Sequence, residues 1–169
     1  MLSSGISGVD RILRGYLPGD NIVWQVPSID EYRRFVEPYA RFALDRSIPV
    51  VYFRFASHEP LLSGELHPGV RVCALDPRDG FESFISEIHS TIKQNGRGGC
   101  YVFDLLSELT SHWYSDRMLG NFFMLTCPYL LDMEALAYFA VIKGEHSRNA
   151  LDPIHATAQV ILDTYNRNG

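Results

Sequence analysis

Several polar residues stand where an otherwise apolar chain could do chemistry. Arg54 closes an apolar run, Val50-Val51-Tyr52-Phe53-Arg54-Phe55, and Asp104 closes another, Cys100-Tyr101-Val102-Phe103-Asp104. A guanidinium in such a position needs a carboxylate, and Asp104 or Glu59 can supply one. A structural ion pair and a ligand contact are both open for Arg54, and the ion pair is the commoner outcome. Asp104 and Glu108 could form an acid/base pair, although nothing in their spacing requires it. His146 and Arg148 follow the run Ala137–Ile142 and could join Arg54 in an anion pocket, or line a solvated loop.

Other histidine and glycine patterns say less. His112 and Asp116 have i,i+4 spacing, but a metal site needs further ligands. Gly96-Arg97-Gly98-Gly99 precedes an apolar run instead of following it, so it reads as a turn and not a phosphate loop. Trp113 and Tyr114 lie in a polar stretch and read as a contact surface or as a cover for a sheet edge. No nucleophile–base pair or metal cluster stands out, and no metal or cofactor is expected.

The elements that must position these groups follow from periodicity. Apolar runs at Ile22–Val26, Val50–Phe55, Val70–Leu75, Cys100–Phe103, Ala137–Ile142 and Gln159–Asp163 read as strands. Most are continuously apolar, which suits a mainly parallel sheet buried on both faces. Between them, Tyr32/Phe35/Val36/Tyr39/Ala43, Phe81/Phe84/Ile85/Ile88/Ile92 and Met118/Leu119/Phe122/Phe123 form helical stripes, with Pro38 kinking the first and Pro128 disturbing the third. Alternating strands and helices predict an α/β fold with helices on both faces of the sheet.

The joint between the first strand and first helix is Val26-Pro27-Ser28-Ile29-Asp30-Glu31-Tyr32-Arg33-Arg34. A phosphate-binding loop would carry G-x-x-x-x-G-K-[ST] here, because glycines let backbone N–H groups curl round an anion while a lysine adds charge. This chain has β-branched Val26 and Ile29 instead, which resist that curl. Asp30 and Glu31 would face the anion, each close contact repelling by roughly 1 to 4 kcal/mol. Ser28 and Glu31 form an S-x-x-E capping box that predicts a helix end satisfied by its own side chains.

The chain has 169 residues, 46% hydrophobic and 21% charged, with a net charge of −5. That suits a single domain spanning residues 1–169, burying about 70% of its unfolded surface. An acidic balance without a Lys/Arg cluster argues against nucleic acid. No apolar run is long enough for a bilayer, and no signal-like N-terminus is present, so the expectation is a cytoplasmic protein. Cys73, Cys100 and Cys127 suit buried thiols in a reducing compartment. The stretch Tyr165–Gly169 reads as a boundary.

Three segments carry a family resemblance. Ser4-Gly5-Ile6-Ser7-Gly8-Val9-Asp10-Arg11-Ile12-Leu13-Arg14-Gly15-Tyr16-Leu17-Pro18-Gly19-Asp20 resembles the N-terminal signature of KaiC-like, RecA-family ATPases. Pro49–Phe55 is similar to that family's second strand, and Tyr101–Leu109 to its Walker B strand. The resemblance implies a three-layer RecA-like core. It places Val26, Ile29 and Glu31 at the motif glycines, Tyr32 at the lysine, Arg33 at the Mg²⁺-binding hydroxyl, and Ala56-Ser57 at the acidic pair. Asp104 alone survives, at the Walker B position.

More narrowly, His58–Leu62, Trp113–Asp116 and Met118–Phe123 resemble a degenerate KaiC-like domain at the N-terminus of phosphoenolpyruvate synthase and pyruvate phosphate dikinase homologues. This implies a longer parent chain with ATP-dependent phosphotransferase modules. The expectation is then a non-catalytic module whose partners are downstream domains or a second copy, giving regulation, docking or oligomerisation. The alternatives are a ligand-sensing module at the Arg54, Glu59, Glu108, His146 and Arg148 edge, a residual ATP-binding KaiC-like protein, and an enzyme centred on Asp104 and Glu108.

Overall fold

A computed structural model describes residues 1–165; the end of the boundary stretch, residues 166–169, lies outside the described residues. Six strands form one sheet: β1 Asn21–Val26, β2 Val50–Arg54, β3 Val70–Ala74, β4 Cys100–Leu105, β5 Leu136–Ile142 and β6 Val160–Asp163. Their order is β3-β2-β4-β5-β1-β6, and every pairing is parallel. β5 therefore separates the strand that leads into the joint (β1) from the strand that ends at Asp104 (β4).

Successive strand residues point to opposite faces, and each face has its own core. Ile22, Trp24, Tyr52, Val102 and Tyr138 pack under helix α2 (Ile29–Leu44) with α1 (Ser7–Leu13) beside it. Val23, Phe53, Phe103 and Phe139 pack under α3 (Phe81–Asn95), α5 (Arg117–Asp132) and α6 (Arg148–Thr157). The protein is thus a three-layer α/β domain with a RecA-like core. A short helix, α4 (Leu109–Trp113), follows a 3₁₀ turn after β4.

α2 and α5 run through Pro38 and Pro128 without interruption, so neither proline ends its helix as its chemistry suggests. α6, which the sequence periodicity did not mark, begins at Arg148 and crosses α5 closely. A Cβ on Gly120 would lie 2.9 Å from Pro153 Cγ, so the crossing requires glycine.

The N-terminal segment is fastened internally. Asp10 accepts from the hydroxyl of Ser3 and, at 2.7 Å, from both the backbone N–H and hydroxyl of Ser4. These bonds outweigh burial and lower the Asp10 pKa. Gly5, at φ 76°, lies against the carbonyl of Pro38, where a Cβ would meet the oxygen at 2.3 Å. Tyr16 shares a 2.8 Å hydrogen bond with Tyr138. The signature-like segment therefore acts as a latch across α2 and the sheet.

The cysteines are free, Cys100 and Cys127 buried and Cys73 half-buried. No helix among the described residues is long and apolar enough to cross a membrane.

Candidate functional site

In doubly wound folds ligands bind at the carboxyl edge of the sheet. Here that edge carries the β1–α2 joint, the end of β4 and the loop after β2. Each is committed to internal partners.

At the joint, Ser28 is in extended backbone (φ −157°, ψ 162°) and accepts from the N–H of Glu31 at 3.4 Å. The reciprocal half of the capping box is replaced by an ion pair: the Glu31 carboxylate lies 3.7 Å from Arg34. Asp30 stays exposed in the first turn, where a carboxylate favours the helix N-terminus. Val26 is fully buried.

Tyr32, which the resemblance set at the lysine position, is also fully buried. Its ring reaches from the first turn of α2 towards β4, and its hydroxyl donates to the carbonyl of Phe103 at 3.1 Å. Burial, aided by the nearby charge of Asp104, raises its pKa far above the ordinary value, so it is a neutral phenol. The side chain is a core residue.

Arg33 turns away from the joint. Its guanidinium donates to the carbonyls of Pro60 and Glu59, the latter at 3.2 Å, and so pins the loop after β2. Glu59 contributes its carbonyl there, while its residue remains exposed. Leu61 and Leu62 of the same loop are buried beneath α2.

Asp104 is fully buried and lies under that loop. One carboxylate oxygen accepts from Arg54 Nη1 at 2.8 Å and from the N–H groups of Phe55 and Ala56 at 2.8 and 2.9 Å. The other accepts from the hydroxyl of Tyr52, with His58 Nε2 at 3.5 Å. A carboxylate offers about four acceptor positions, so little capacity remains for a cation. Asp104 is held as a structural anion, and Arg54 is its counter-ion. Burial opposes the Arg54 charge, but the bond and charge of Asp104 prevail and raise its pKa. Tyr52 is held neutral by burial and by Asp104, and its oxygen accepts from the N–H of Leu61 at 3.1 Å.

Glu108 fastens the same loop, accepting from the N–H and hydroxyl of Ser57 at 2.7 and 2.8 Å. Burial pushes its pKa up, but these bonds and nearby His58 outweigh that and bring it below the ordinary value. Asp104 and Glu108 thus bind different stretches of the β2 loop and do not converge as an acid/base pair.

The remaining residues separate. His146 bonds to Ser107 Oγ at 2.6 Å, and Ser107 also accepts from the N–H of Ile142 at 2.8 Å. Arg148 begins α6 and, with Arg117, Asn121 and Asp152, lines a hollow of about 410 Å³ between α5 and α6. Arg54 bonds to Asp104 and His146 to Ser107, while Arg148 lines the hollow beside α6, so the three form no common anion pocket. Trp113 is 9% exposed and packs on Phe81, Phe84 and Phe122, whereas Tyr114 is 97% exposed in a left-handed turn. The expected Trp113–Tyr114 contact surface reduces to Tyr114.

Two participants escaped the sequence reading. Tyr52 could have been noticed, since it shares a strand face with Arg54 at i,i+2 spacing. Lys143 follows β5 beside the joint; its N–H donates to Val26, and its ammonium lies 3.4 Å from Asp163 and over the ring of Tyr165. Among the described residues no group of three or more His, Cys, Asp or Glu is placed to hold a metal. No protein-family model matches the chain, and no curated protein sequence matches it.

Proposed function

We propose that this domain is a non-catalytic relative of KaiC-like ATPases, a module that gives regulation, docking or oligomerisation to a larger ATP-dependent phosphotransferase of the phosphoenolpyruvate synthase type. The observation that carries the non-catalytic part is the commitment of Asp104 to Tyr52, Arg54 and the N–H groups of Phe55 and Ala56. Tyr32 supports it, since an aromatic core residue stands where an ATPase needs a mobile lysine. The link to a phosphotransferase is supported by the sequence resemblance at His58–Leu62 and Met118–Phe123.

A thermal-shift panel with Mg-ATP, AMP, phosphoenolpyruvate and pyruvate tests this reading. A ligand at a hundredfold excess over its dissociation constant stabilises a fold by about 2.7 kcal/mol, which is readily seen. Silence across the panel is expected. A shift abolished by Arg54→Ala would favour ligand sensing instead.

A further inference from the structure

α5 is an unusual surface helix. Between Arg117 and Asp132 its sequence, Met118-Leu119-Gly120-Asn121-Phe122-Phe123-Met124-Leu125-Thr126-Cys127-Pro128-Tyr129-Leu130-Leu131, contains no charge. One side is core: Leu119, Phe122, Phe123 and Leu130 are fully buried. A helix that is apolar all round is normally covered all round. Yet Met124 is 48% exposed, Leu125 51% and Leu131 47%, and Pro128 is exposed beside them.

The exposed residues, with half-buried Asn121 among them, form one seam. Arg117, Asn121, Met124, Pro128 and Leu131 recur at alternating steps of four and three, the spacing by which one helix lies along another. Leu125 and Asp132 flank that seam. Towards α6, Arg117, Asn121 and Met124 of the seam wall a hollow whose far side carries the polar residues Arg148, Asn149 and Asp152. An apolar strip within a polar rim is the anatomy of a protein–protein contact.

The charges indicate what covers it. Arg117 is the first residue of α5 and Asp132 the last; both are exposed, and neither has an ion-pair partner among the described residues. The seam is self-complementary when reversed. About a two-fold axis at Met124/Leu125, Arg117 meets Asp132 of a second copy, Asn121 meets Pro128, and Met124 meets Leu125, each contact occurring twice. That reciprocity is what an isologous dimer requires.

We propose that this face is a homodimer interface, in which α5 of one chain packs antiparallel on α5 of a second copy. The dimer rests on the oligomerisation role proposed above and names its partner. It does not require the nucleotide site to be closed, and mass measured without nucleotide reads the dimer alone.

The test is sedimentation velocity and light scattering on the 169-residue chain, with circular dichroism confirming that each variant is folded. The wild type should have dimer mass in the micromolar range, and Leu125→Glu should be a folded monomer. Asp132→Arg places arginines against each other twice and should weaken the dimer on the order of tenfold or more. Adding Arg117→Asp to it should restore the affinity. A wild-type chain that remains monomeric overturns the proposal, whether or not it binds another protein. So does a dimer that Leu125→Glu leaves intact, or a charge reversal that its partner substitution does not rescue.

Discussion

Tyr32 on α2 donates its hydroxyl to the carbonyl of Phe103 on β4, one residue before Asp104, at 3.1 Å. Through this bond the first turn of α2 is tied to the end of β4. β5 lies between β1 and β4, and α2, which follows β1, lies across the sheet face as far as β4. An ATPase needs that space open for phosphate.

The first prediction concerns this contact. Tyr32→Phe removes one buried hydrogen bond and should cost about 1 kcal/mol in denaturant unfolding. Tyr32→Lys restores the motif lysine but puts an ammonium into a core site, and should destabilise the fold more than the phenylalanine does. It should not create Mg-ATP binding, because Val26, Ile29, Asp30 and Glu31 still block the cradle. Tight ATP binding by this single variant would contradict the account.

Asp104 should behave as a structural acid. Removing it leaves Arg54 without its counter-ion and two backbone N–H groups unpaired. Breaking such a pair typically costs about 3 to 5 kcal/mol, so Asp104→Ala should unfold at markedly lower denaturant. An acid reserved for a metal would show the opposite, since its loss usually leaves the metal-free fold unharmed. Equilibrium unfolding of wild type and variant decides between them.

Arg33 should matter through the loop it pins. Its two carbonyl contacts lie at the surface, so Arg33→Ala should cost only about 1 kcal/mol globally. The local effect should be larger. Limited proteolysis between Ser57 and Glu65 should accelerate, and amide exchange at Leu61 should rise, because that N–H depends on the loop staying over Tyr52.

The pH dependence follows from two histidines. Burial lowers the pKa of His146 below 6.5, against the opposing charges of Asp116 and Glu145, and burial likewise lowers His89. Above about pH 6.5 both are neutral whether folded or unfolded, and stability is at its full value. As pH falls below that, the unfolded chain takes up protons first, so stability must decline with acid. His146→Gln should flatten this decline while costing about 1 kcal/mol at neutral pH for the bond to Ser107. A melting profile insensitive to pH between about 7 and 5 would oppose this. The depressed carboxylate Glu108 acts in a lower window: its contribution is lost only as pH falls through its own folded pKa.

Much of the fold was legible because its four central strands, β1, β2, β4 and β5, are buried on both faces. All six apolar runs became strands with ends shifted by no more than two residues; in the central four, continuous burial leaves no room for polar interruptions, whereas the edge strands β3 and β6 are half-exposed. α1, α4 and α6 were missed. They are short, and Gly8 in α1 and Pro153 in α6 weaken the helical pattern.

The candidate site was half legible. The Ser28 cap depends on neighbours in sequence, so reading along the chain found it. The contacts of Tyr52 with Asp104, Arg33 with Glu59 and Pro60, and Ser107 with His146 join residues 26 to 52 positions apart. Such pairs are set by parallel crossovers, and residue spacing carries no trace of them. The exposed seam of α5 was hidden for another reason: periodicity identifies a buried stripe but does not say that the opposite side is apolar as well.

The most direct measurement of the central claim is isothermal titration of the 169-residue chain with Mg-ATP. The account predicts no binding heat at micromolar to low millimolar nucleotide, because Asp104 and the β1–α2 joint are already occupied by the protein's own groups. Saturable binding with a micromolar dissociation constant would contradict it.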